Sequence, residues 1–209
     1  MELGEEVKSD LGVALNEATM LGAEVDTERS MAFVTFDVLT LPLVGPPPND
    51  RRIQFVFHPI GRVAASLRLG DWNDAGAKVV AFELGDLLRV IEGFKEPVYG
   101  WEFFDLEGKF EKWQDRLSLD YRSGDAGMSH TITLFQVGTD RHLDLCIWFD
   151  SFGLRDGIGG FPKLDEFIAC GKRWWDGFYS GDPRTHGEGI VHTDRDGQLR
   201  VPPGVFDSD

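Results

Sequence analysis

The sequence predicts an α+β fold: a curved, mainly antiparallel sheet of about seven strands with three helices packed on it and a small hairpin in the tail. Three observations lead there. Seven segments are rich in β-branched and aromatic residues or alternate apolar with polar ones. Three others repeat apolar residues every three or four positions. No long crossover helix recurs between consecutive strands, as a parallel sheet would require.

The elements follow in chain order. Leu3, Val7, Leu11, Leu15 and Ala18 step along one helical face with acids between them, predicting an amphipathic helix of about five turns stopped at Gly22. MAFVTFDVLTLPL (31–43) reads as a central strand, closed by the prolines of GPPPND. RRIQFVFHP (51–59) and VAASLRLG (63–70) alternate on either side of Gly61, predicting a hairpin there. After the polar turn DWNDAG, Leu84, Leu87, Leu88, Ile91 and Phe94 have helical spacing, ended by Gly93 and Pro97.

The strand habit then returns in VYGWEFFD (98–105), RLSLDYRS (116–123), HTITLFQV (130–137) and HLDLCIWF (142–149). The last two, joined by GTDR, form the strongest hairpin signal in the chain. A glycine-rich connection follows, and then a helix that starts after Pro162 and carries Trp174 and Trp175. One domain over 1–182 is expected. An extension over 183–209 holds IVHT and QLRV around Arg195-Asp196-Gly197 as a small hairpin.

Charge excludes whole classes of partner. The 209 residues carry 36 acids against 21 Lys and Arg, a formal charge of −15. Residues 1–30 supply six of those charges, with eight acids against Lys8 and Arg29. Nucleic acid and anionic membranes need clustered cations, so neither is expected as a partner, whereas a basic protein is. The opening MELGEEVKSD has no basic n-region or apolar h-region, and no run approaches the ~18 apolar residues of a span, so a cytoplasmic location is the expectation. Cys146 and Cys170 read as reduced thiols.

Catalytic and metal motifs are weighed and set aside. Gly153, Gly157, Gly159 and Gly160 lie between a strand and a helix, where phosphate loops occur, but their spacing matches neither the P-loop nor the dinucleotide fingerprint. Asp165 and Glu166 in the following turn would also repel an anion. No two of the five histidines have the i, i+4 spacing of a metalloprotease, and His186, His192, Asp194 and Asp196 read as an Asp-rich turn beside a hairpin. His142, Asp144, Cys146 and Trp148 share a strand face, but a thiol and an imidazole four residues apart on a strand are about 13 Å apart, too far for a relay. Cys146 is therefore expected to be half-buried and structural. No cofactor and no metal are expected, and no catalytic residue is assigned.

What remains is recognition surface. Candidate binding residues are Asp71, Trp72 and Asp74 in the DWNDAG turn, Gly157, Gly159 and Gly160 in the glycine-rich loop, and Trp174. At about 100° per residue from Leu164, Trp175 falls at about 20°, inside the apolar arc, and Trp174 at about 280°, on its rim. Trp174 is thus expected half exposed, with its truncation costing less stability than that of Trp175. The functional expectation is a non-enzymatic protein-interaction domain of the immunity or regulatory kind. The alternative is a small-molecule binder or hydrolase with a pocket rimmed by loop 153–160. A homodimer through an exposed sheet edge is a further expectation.

Overall fold

The computed structural model describes residues 3–71, 74, 76–94, 97–100, 102–106, 112–124, 127–186, 192–193 and 199–200. Its elements are α1 (Glu5–Leu15), β1 (Thr19–Asp26), β2 (Met31–Asp37), β3 (Arg52–Leu69), β4 (Lys78–Val79), α2 (Leu87–Glu92), β5 (Leu119–Arg122), β6 (His130–Val137), β7 (Arg141–Asp156), α3 (Leu164–Ser180), β8 (His192–Thr193) and β9 (Leu199–Arg200). The first seven strands form one antiparallel sheet in the order β1-β2-β3-β7-β6, with β5 and β4 pairing along β3 beyond the end of β2. The fold class is as the sequence predicts. The tail hairpin is present as β8 paired with β9.

The membership of the sheet differs from expectation. Gly61 makes no turn: β3 runs straight through it as one strand of 18 residues, paired with β7 from Ile53↔Asp156 to Leu69↔Arg141. A bulge between Ile60 and Arg62 absorbs the irregularity. The inward residues of β3 step from Phe57 to Ile60 where those of β7 step from Phe152 back to Phe149, so the two apolar faces stay matched through the bend. α1 stops at Leu15, two residues before Glu17 adopts a left-handed φ of 59°, and β1 takes up the chain. A register shift between Met20 and Gly22 breaks the alternation of β1, which hides it from a period-2 reading. Where a strand is expected over 98–105, the described residues make isolated bridges, Val98↔Gln136 and Phe104↔Ile132.

That segment occupies the outer edge of β6, with Tyr99 N–H donating to Phe135 O at 2.7 Å, and Val98 N–H reaches Ala18 O at 2.8 Å ahead of β1. Self-pairing at β6 would have to displace it. The sheet curls around a core centred on Phe55, whose ring meets Phe36, Phe57, Phe104, Phe152 and Phe167 at 5.3–6.5 Å. α1 and α3 close this core from one side. They come close together at Gly171, where a Cβ would lie 2.7 Å from Ala14 Cα. No helix among the described residues is long and apolar enough to cross a membrane.

Candidate recognition surface

The glycine-rich loop folds around a carboxylate of its own. Asp156, at the end of β7, accepts hydrogen bonds through Oδ1 from the N–H groups of Ile158 (3.1 Å) and Gly160 (2.6 Å). Gly159 completes the turn at φ +87°. A Cβ on Gly157 would collide with the Asp50 carboxylate, and one on Gly160 would sit 2.5 Å from Asp156 Oδ2, so a side chain at either position would require that carboxylate to move. Amides that a phosphate would need are thus aimed at Asp156, and two carboxylates stand where an anion would approach. The loop holds Ile158 and Phe161 outward, 88% and 81% exposed.

Behind the loop lies an open cleft of about 450 Å³, with Val38, Ile53, Phe167 and Cys170 among its lining. Its guanidinium groups are already engaged: Arg51 grips Asp37 through two bonds (2.9 and 3.1 Å) and Arg52 grips Asp50 through two more (2.6 and 2.9 Å). Hydrogen bonds from Arg52 push the Asp50 carboxyl down to about 2.

Asp71 and Asp74 are exposed and build the expected turn, with Asp74 Oδ1 accepting from Gly76 N–H at 2.7 Å and Asp74 N–H donating to Asp71 O at 3.0 Å. Trp72 lies outside the described residues. Trp174 is a correction: it is 0% exposed, against 7% for Trp175, and offers no ring surface to a partner. Leu39 and Leu41, in the segment after β2, cover the side of α3 that the helical projection left open. Arg173 and Cys170 hold that segment in place, the guanidinium donating to Leu41 O (2.8 Å) and Leu41 N–H donating to Cys170 O (3.1 Å).

Cys146 is another correction, fully buried at 2% exposure where half-burial is expected. Both faces of the sheet are covered at this level, and segment 112–118 supplies part of the cover: Ser66 Oγ donates to Arg116 O at 2.7 Å and Trp113 is buried. Beneath it lie His142, fully buried, and the ion pair Arg68–Asp144. Among the described residues neither ring nitrogen of His142 finds a hydrogen-bond partner. Burial and the Arg68 guanidinium hold its pKa below the ordinary value. Cys146 Sγ accepts from Thr133 Oγ1 at 3.6 Å and makes no bond to His142, so the shared face is a buried polar layer without a nucleophile–base relay. Among the described residues no cluster of three or more His, Cys, Asp or Glu is placed to hold a metal ion.

The sequence did not point to a further concavity, an open groove of about 760 Å³ between α1 and α3. Val7, Leu164, Ile168 and Ala169 are its apolar lining, and Glu6, Asp10, Asp165 and Asp176 are its acids. Its two cations are both engaged in bonds within the chain. Lys172 Nζ donates to Asp10 Oδ1 at 2.7 Å, and Arg173 is held at Leu41 O. The Lys172 ammonium is raised above its ordinary pKa by that bond, and Glu6 and Asp176 add to the effect through their charge. Four carboxylates against two cations leave the groove negative. Its residues come from helices more than 150 positions apart in sequence, Asp10 to Asp165 for example, so only the packing of α1 on α3 brings them together.

No family model, curated protein or solved structure matches the chain.

Proposed function

We propose that this chain is a non-enzymatic protein-interaction domain that takes a basic protein partner at the α1–α3 groove. The observation carrying the reading is the groove itself: aliphatic lining, four acids around it, and both cations engaged in internal bonds. An apolar centre with a charged rim is the anatomy of a protein-binding patch, and a negative rim favours cationic partners in rate and in choice. The filled core, with His142 and Cys146 enclosed in it, supports binding over catalysis. An immunity or regulatory role is the class of protein this suits.

The test is affinity capture from the native lysate with wild type and with Glu6→Lys/Asp176→Lys, both substitutions at exposed helix positions. A cationic protein should be retained by wild type and lost from the variant. Equal retention by both, or a small metabolite carried through native mass spectrometry in the cleft beside Gly157, would overturn the proposal.

A further inference from the structure

Resting on that reading, we infer that the partner enters the groove as an amphipathic, cationic α-helix and not as an extended strand. The reason lies in what the walls lack. Every lining residue belongs to α1 or α3: Glu6, Val7 and Asp10 from the first, and Leu164, Asp165, Ile168, Ala169, Lys172, Arg173 and Asp176 from the second. Backbone inside a helix is hydrogen-bonded to itself, so the walls present side chains and no ladder of alternating N–H and C=O groups. An extended segment pressed into such a groove would leave those of its N–H and C=O groups that face the walls without partners. A helix satisfies its own backbone and avoids that penalty.

The side chains point the same way. Val7, Leu164 and Ala169, lying over the buried Ile168, offer an aliphatic strip that accepts apolar residues repeated at i, i+3 or i+4, and i+7 on the incoming helix. Glu6 and Asp176 form no ion pair among the described residues, and both stand in the field around Lys172. They are placed to receive Lys or Arg flanking the apolar stripe. From Leu164 to Asp176 the wall is about 18 Å long at ~1.5 Å per residue, which fits an occupant of about three turns. The cleft beside Gly157 also carries carboxylates, Asp50, Asp156 and Glu166, but it is not walled by two helices, so charge and shape together favour the α1–α3 groove.

The experiment titrates the full chain with three fluorescent peptides of identical composition. One arranges Leu and Lys with helical period, one rearranges them with strand period, and one scatters the same residues so that no apolar stripe of either period forms. Anisotropy gives affinity, and amide shifts in isotopically labelled protein give location. The helical peptide is expected to bind with shifts at Val7, Leu164, Ile168 and Ala169, to weaken at least about tenfold in Glu6→Lys/Asp176→Lys, and to weaken likewise in Ala169→Tyr, which fills the trough from an exposed position without changing charge. Equal or tighter binding of the strand-period or scrambled peptide at these same residues overturns the helix inference and leaves the groove as a basic-partner site. Failure of all three peptides to shift groove residues, or binding indifferent to the charge reversal, removes the proposed function as well.

Discussion

Gly171 of α3 rests directly on Ala14 of α1, so close that an added Cβ would fall 2.7 Å from Ala14 Cα and 2.8 Å from Ala14 Cβ. Alanine is the better helix former by about 1 kcal/mol, yet here it would push two backbones apart. Gly171→Ala is expected to destabilise the fold by about 1–3 kcal/mol in urea unfolding, and Ala14→Gly is not expected to rescue it because the clash with the backbone of residue 14 remains. A neutral or stabilising Gly171→Ala would mean that the two helices leave room for a methyl group between them.

The tryptophan pair yields a second test. Trp174 is fully enclosed, stacked on Phe178 at 5.1 Å, and Trp175 meets it edge-on at 4.8 Å. Truncating either to Ala should cost about 3–5 kcal/mol, with Trp174 at least as costly as Trp175. Both indole N–H groups are buried without an acceptor among the described residues. Trp174→Phe should therefore lose much less than Trp174→Ala, since it removes an unsatisfied donor along with some area. Thermal unfolding of the three variants checks the order.

Arg68 and Asp144 pair across β3 and β7 with both side chains nearly enclosed. Removing one charge strands the other, so Asp144→Leu or Arg68→Met alone is expected to cost about 3–5 kcal/mol. The double replacement should recover most of it, and a strictly additive cycle would show that the pair is not coupled.

His142 makes stability depend on pH in a defined window. Burial, with Arg68 and Arg116 adding and Asp74 opposing, holds the imidazole below its ordinary value in the folded chain, whereas unfolded it protonates near 6.5. The unfolded state thus takes up the proton first, and stability that is complete above that pH declines as the pH falls through it toward the lower folded value. Carboxylates act further down: Asp50, at about 2, loses its contribution as the pH drops below the ordinary 3.8. In His142→Phe the upper decline should vanish while the lower one persists. Urea midpoints measured from pH 8 to pH 3 would reveal it, and a flat wild-type profile between 7 and 5 would refute it.

Local signals are legible where one element carries its own pattern. β6 and α3 lie where their periodicities place them, and GTDR closes the hairpin joining β6 to β7. Reading fails where a distant segment decides the outcome. A helical projection sees only α3 and cannot know that Leu39 and Leu41 cover Trp174. Gly61 looks like a turn because its partner, β7, is far away in sequence and alone shows that the strand continues. The site is harder still. The acids of the groove read as two ordinary solvated helix faces until Gly171 brings those helices together.

The long ladder of β3 against β7 also sets how the chain must come together in time. Its nearest rungs, Leu69 and Arg141, are separated by about seventy residues, and every other rung by more. That closure costs entropy before any pair can offset it, whereas the β6–β7 hairpin closes over a short turn. Refolding should therefore be slow for a chain of this size, with hairpin 130–149 protected from hydrogen exchange well before β3 arrives to complete the sheet.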